Sequence, residues 1–237
     1  MPLRNKVAYI TGGSKGIGFG IARSLLAQGM HVAISGRSLE KTQKAADRLS
    51  KDAERILAMK SDVRHLEEEQ AAMQQILSKW GKLDVLIANA GVGHFSPIDK
   101  MTPEQWNETI DTNLTGVFHS VKAALDALKV SHGYIITIAS LAGANFFPEA
   151  AAYNASKFGL VGFTQAMMLD LRYHDIKVTT IMPGSVSSFF NERTPSESDA
   201  WKIQPEDIGQ MVVDLLRMPA RTLPSKIEVR PTKPPQK

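Results

Sequence analysis

The 237-residue chain contains no cysteine. Disulfides, thiolate metal sites and cysteine nucleophiles are therefore excluded, and the composition fits a cytoplasmic protein. No segment has the length and unbroken apolarity of a membrane span. The opening stretch, "MPLRNKVAYI", lacks the basic region, apolar core and small-residue cleavage site of a secretory signal, so export is not expected. Neither sign of charge dominates: 28 Lys and Arg stand against 24 Asp and Glu, the formal net charge of +4 comes from scattered Lys and Arg, and no basic stripe marks a nucleic-acid surface. Histidines are few, and His94, His119 and His174 show no metal-ligand spacing, so no metal site is expected.

What is present is a regular alternation. Hydrophobic residues make up 43% of the chain, enough for the core of one large domain. Short apolar runs ("KVAYIT", "HVAISG", "RILAMKSD", "LDVLIANAG", "GYIITIAS", "IKVTTIMPG", "KIEVR") alternate with longer helical stretches near 17–29, 39–51, 65–80, 103–129, 151–174 and from Pro205 onward. Strands that are apolar throughout and separated by helices imply a parallel sheet covered on both faces. The expectation is a single-domain α/β fold over 1–237, doubly wound on a seven-stranded parallel sheet. Periodicity fails only at 187–204, a candidate lid loop, and the Pro-rich 231–237 reads as a flexible tail.

The first apolar run leads into "TGGSKGIG", with Gly12, Gly16 and Gly18 at a strand-to-helix turn. Glycines there permit positive φ and close backbone approach, and the N–H groups that open the next helix attract a pyrophosphate. The G-x-x-x-G-x-G spacing on the first βα unit resembles the cofactor motif of the short-chain dehydrogenase/reductase family, and the resemblance runs to about Gly184. It implies a Rossmann fold and assigns Gly12, Ser14, Lys15, Gly16, Ile17 and Gly18 to a nicotinamide cofactor. The second strand ends in "SGRS", with Arg37 and no carboxylate between His31 and Leu39. Arg37 and Lys15 beside the adenosine ribose favour a 2′-phosphate, hence NADP(H). The alternative is that Arg37 merely caps the sheet and Lys15 is solvated. The resemblance extends through Asp62 and Val63 at the adenine, Asn89, Ala90 and Gly91 under the cofactor, and Pro183, Gly184, Val186 and Ser188 at the carboxamide. Asp62 reads equally as a helix N-cap.

Tyr153 and Lys157 lie four apart on a helical stretch, and Ser140 ends the preceding strand. A free phenol titrates near 10, and bringing it to about 7 requires roughly 4 kcal/mol. A cation at about 4 Å supplies that at an effective dielectric constant near 20. Lys157 is therefore expected to acidify Tyr153. The small residues Ala155, Ser156 and Gly159 argue against a surface snorkelling pair. The resemblance makes Tyr153 the general acid/base, Ser140 the donor to the substrate oxygen, Lys157 also a ribose contact, and Asn113 the anchor of a water relay. It implies hydride transfer between NADP(H) and a carbonyl or secondary alcohol in a homodimer or homotetramer, as in NADP-dependent carbonyl reductases. Two alternatives stand beside it: a 3-oxoacyl-thioester reductase, with Lys129 and Arg172 as a surface for an acyl carrier protein, and a catalytically silent NADP-sensing protein.

The chain departs from the family pattern at both ends of its substrate region. The segment after "PG" is short and the C-terminus lacks a Gly-rich strand. Phe146, Phe147, Phe189 and Phe190 suggest an apolar pocket, with Glu149 as a polar contact; plain packing of loop onto core is the other reading.

Overall fold

In the computed structural model, which describes residues 3–234, the apolar runs become seven strands: β1 (Val7–Ile10), β2 (His31–Gly36), β3 (Ile56–Lys60), β4 (Val85–Ala88), β5 (Tyr134–Ile138), β6 (Lys177–Pro183) and β7 (Lys226–Val229). All are parallel, in one sheet of order β3-β2-β1-β4-β5-β6-β7. The helices are α1 (Gly16–Ala27), α2 (Leu39–Leu49), α3 (Leu66–Trp80), α4 (Pro103–Ile110), α5 (Gly116–Ser131), α6 (Ala151–Leu171) and α7 (Pro205–Arg217).

The period of two along a strand divides the apolar residues between two cores. On β1, Ala8 and Ile10 join Ile21, Leu25 and Val212 of α1 and α7, whereas Val7 and Tyr9 join Ile76, Leu128 and Leu160 of α3, α5 and α6. Helices therefore cover both faces, and β1, β4 and β5 are buried along their whole length. Small residues let α1 and α7 close on each other: a Cβ on Gly20 would stand 2.6 Å from the Pro205 carbonyl. Among the described residues no helix is long and apolar enough to cross a membrane.

The long helix expected over 103–129 is interrupted. A π-helical turn, Asp111–Thr115, separates α4 from α5. Such turns insert an extra residue into the helical ladder and recur at functional sites; here the inserted turn carries the fully buried Asn113. The 187–204 segment holds two short turns, Phe190–Glu192 and Glu197–Asp199. Its base is pinched by a parallel bridge, with Ser187 N donating to Ile203 O at 2.9 Å and Ile203 N to Ser185 O at 3.1 Å. The beginning of the tail packs on the sheet edge, since a Cβ on Gly184 would meet Pro231 Cδ at 3.3 Å. Residues 235–237 of the expected tail lie outside the described residues.

Candidate active site

The strand order reverses direction between β1 and β4, and in open α/β sheets a crevice forms at the C-terminal ends of such a pair. The loops after both strands meet there. Gly12 has φ 65°, and a Cβ on it would stand 2.9 Å from Ala90 Cα. Asn89 clamps the two loops: its Nδ2 donates to Thr11 O at 2.9 Å and Gly12 O at 3.1 Å, while Thr11 Oγ1 accepts from Asn89 N and Ala90 N. The "NAG" segment thus shapes the glycine loop as well as bordering the crevice.

Helix α1 starts at Gly16, φ 57°, and the side chain of its N-cap, Lys15, makes no capping hydrogen bond. The first-turn amides have no side-chain acceptor, which suits a phosphate. Space remains there too, because a Cβ on Gly16 would meet only Ser188 Cβ, at 3.4 Å. The residues present therefore fit a dinucleotide's pyrophosphate. Ser14 lies at the end of β2, its Oγ 3.7 Å from a Cβ placed on Gly36. Ile17 and Val186 pack half-buried on the core beneath α1.

The end of the crevice expected to take adenosine differs from the sequence reading. Arg37 Nη1 donates to Glu108 Oε1 at 3.1 Å, and the other carboxylate oxygen lies 2.9 Å from His94 Nε2. His94 and Arg37 together hold the Glu108 carboxyl below the usual carboxylate range. Lys15 is directed elsewhere, its amine 6.0 Å from the Phe189 ring centroid. Asp62 is gripped by Arg64, whose Nε and Nη2 reach its two oxygens at 2.6–3.1 Å and lower its pKa. It does not cap α3, whose N-cap is His65. Val63 is buried, and its side chain would clash with any Cβ on Gly116.

At the other end the structure brings Ser140, Tyr153, Lys157 and Asn113 together. Ser140 follows β5 and its Oγ accepts from Ala142 N at 3.1 Å, while the strand-end carbonyl of Pro183 lies 3.5 Å away. Tyr153 is 9% exposed and Lys157 5%. Lys157 Nζ donates to Ile138 O at 3.1 Å and sits 5.7 Å from the Tyr153 ring centroid. Gly91 is wedged between Lys157 and Asn113: a Cβ there would stand 3.3 Å from Asn113 Oδ1 and 3.7 Å from Lys157 Nζ. Asn113 Oδ1 accepts from Val92 N, and its Nδ2 donates to Val92 O and Ser156 Oγ. The amide ties α6 to the β4 loop, so the π-turn has a positional purpose.

The shift of Tyr153 runs opposite to the one expected from the i, i+4 spacing. Burial pushes Tyr153 up to about 12, with the nearby Ser140 side chain working against the rise. Burial also lowers Lys157 to about 8. The Lys157 amine donates to a backbone carbonyl and lies over the Tyr153 ring, and desolvation dominates both groups.

The aromatic wall also differs from expectation. Phe190 and Phe147 take part, with Phe190 5.5 Å from the Tyr153 ring. Phe146 instead stacks on Phe158 at 5.0 Å and is 80% exposed, and Phe189 is half exposed beneath Lys15. Sequence reasoning missed Phe95, which lies 5.4 Å from Tyr153 and touches both Phe147 and Phe190. Gly93 makes room for this wall, since a Cβ there would meet Phe190 Cζ at 2.6 Å. It also missed Asn154, whose Nδ2 donates to Ala142 O and Asn145 O at 2.7 Å and so fixes the loop after Ser140. Glu149 adopts φ 64°, and its carbonyl accepts from Ser96 N. Lys129 stands in the last turn of α5, and Arg172 lies over Tyr173 just past α6. Among the described residues no group of three His, Cys, Asp or Glu converges as metal ligands would.

Known proteins share this architecture. The chain is 34% identical over 230 residues to an uncharacterized oxidoreductase of Staphylococcus aureus, covering 97% of this chain and 98% of that protein. It is 29% identical over 244 residues to a glycine betaine reductase of Emericella nidulans, of whose length it spans only 19%. An alcohol dehydrogenase from Thermococcus sibiricus, solved with 5-hydroxy-NADP, superposes with a TM-score of 0.91 at 28% identity, covering 99% of this chain and all of that one. A 3-ketoacyl-(acyl-carrier-protein) reductase from Brucella melitensis, solved with NADH, gives 0.87 at 25% identity, with 97% and 98% covered. The family model for short chain dehydrogenases matches residues 6–199, and the chain belongs to the short-chain dehydrogenase/reductase family of oxidoreductases.

Proposed function

We propose that the protein is an NADPH-dependent carbonyl reductase working reversibly on carbonyl and secondary-alcohol compounds. The observation that carries this reading is the convergence of Ser140, Tyr153 and Lys157 in a buried cluster beside the glycine crevice. When bound, the nicotinamide supplies or accepts the hydride. Gly12, Ser14, Lys15, Gly16, Ile17 and Gly18 would hold the pyrophosphate side. Arg37, Asp62 and Val63 would hold the adenosine, and Asn89, Ala90, Gly91, Pro183, Gly184, Val186, Ser188 and Lys157 the remainder.

Burial keeps the Tyr153 phenol protonated, which suits donation to a carbonyl oxygen as general acid. Ser140 Oγ shares that cleft and donates to the same oxygen as its negative charge develops. Lys157, cationic below about pH 8, stabilises the phenolate left behind. Asn113 holds α6 against the β4 loop and so keeps Lys157 under the Tyr ring. Phe95, Phe147 and Phe190 exclude water around the hydroxyl and favour an apolar substrate, with the 187–204 segment as lid.

The 3-oxoacyl-thioester reading is the second one, favoured by the likeness to the Brucella reductase. NADPH oxidation against a panel of ketones, diketones, quinones and 3-oxoacyl thioesters separates the two. Turnover with none of them, despite NADPH binding, would favour the silent sensor. A homo-oligomer paired through α5 and α6 is also proposed, supported by exposed apolar groups there, Phe118 and Leu169 among them; light scattering at low micromolar concentration tests it. A cytoplasmic location belongs to the same reading.

A further inference from the structure

Building on the NADPH assignment, we infer that Glu108 sets the cofactor preference by competing with the ribose 2′-phosphate for Arg37. No carboxylate lies between His31 and Leu39, but α4 delivers one to Arg37 from 71 positions away. The pair is solvent-facing, with side chains 62% and 31% exposed, so it can open for a ligand at small cost. Arg64 is already committed to Asp62 through both of its oxygens. Arg37 is thus the guanidinium at this end whose partner is exchangeable.

A 2′-phosphate seeking Arg37 must take Nη1 from Glu108 or share it, and in either case approaches a carboxylate of its own sign. NADH carries no such phosphate and meets no such conflict. His94 takes the second Glu108 oxygen, 2.9 Å away, which keeps the carboxylate at this spot when Arg37 turns to the ligand. Glu108 is accordingly a specificity-determining residue that narrows the preference for NADPH over NADH.

The test is equilibrium titration of NADPH and NADH by fluorescence, at one ionic strength, with the full chain and with Glu108→Gln, Arg37→Met and the double variant. Glu108→Gln keeps the shape of a partly exposed side chain. It should tighten NADPH roughly three- to tenfold and leave NADH within about twofold. In the Arg37→Met background the gain should shrink below about twofold. Weaker or unchanged NADPH binding in Glu108→Gln, an equal shift for both cofactors, or a gain that survives without Arg37 would each overturn the inference. If Arg37→Met leaves NADPH affinity unchanged, the 2′-phosphate assignment falls and this inference with it. If Arg37→Met weakens NADPH but Glu108→Gln is silent, only the inference falls.

Discussion

At the end of the crevice proposed for adenosine, the charged side chains Arg37 and Glu108 are 62% and 31% exposed and pair directly at 3.1 Å. At the end proposed to be catalytic, Tyr153 and Lys157 are 9% and 5% exposed, and burial moves their pKa values to about 12 and about 8. The same fold therefore keeps ionic groups in two regimes. Exposed pairs exchange partners at little cost and adjust affinity by modest factors. Buried groups cannot rehydrate, so their protonation states are fixed by the surroundings and changes to them act on chemistry. Substitutions at the two ends should differ in size and in kind.

The largest effect is expected from Tyr153→Phe, which removes the proposed proton donor and keeps the ring packed on Phe95 and Phe190. The turnover rate should fall by roughly 10²- to 10⁴-fold with NADPH affinity nearly unchanged, read by steady-state kinetics beside a fluorescence titration. Full turnover would remove Tyr153 from its role. Ser140→Ala should follow, with a loss of about 10²-fold in the turnover rate. An effect confined to KM would show that Ser140 only positions substrate.

At the exposed end, Arg37→Asp should cut NADPH affinity by roughly 10- to 100-fold by loss of a charge-assisted contact, leaving turnover at saturating cofactor close to that of the parent. Unchanged discrimination against NADH would place the 2′-phosphate elsewhere.

Lys157→Met sharpens the contrast differently, because it should lower turnover, though less than Tyr153→Phe, and still stabilise the fold. The shift of Lys157 from 10.5 to about 8 corresponds to roughly 3 kcal/mol of unfavourable burial at neutral pH. Loss of the bond to Ile138 O returns about 1 kcal/mol of that. A net gain of about 1–2 kcal/mol at pH 7 should appear in chemical denaturation. The sign of the pH dependence follows from linkage: between about 8 and 10.5 the unfolded chain holds a proton on Lys157 that the folded chain has released, so parental stability rises with pH across that window. The Met variant should lack this rise. Tyr153 acts in the opposite sense between 10.0 and about 12.

The smallest effect expected is in the pH profile of the parent. Reductase kcat/KM should decline as pH rises through about 8, where Lys157 loses its charge. A flat profile to pH 10 would show that the Lys157 charge is not needed for the reaction.

The sequence by itself determined the α/β alternation, the glycine turn at residues 12–18 and the trio Ser140, Tyr153 and Lys157. These signals are local, set by residue spacing within one strand, turn or helix. Tertiary structure decided which groups met across the chain. Glu108 reached Arg37 from α4, Phe95 and Phe190 closed over Tyr153, and Phe146 turned outward onto Phe158. It also decided the direction of the Tyr153 shift: spacing puts Tyr153 and Lys157 on one helix face, but desolvation and the aim of the amine depend on every element packed around them. Contacts between distant residues and the loss of water are properties of the assembled fold, and no window of sequence contains them.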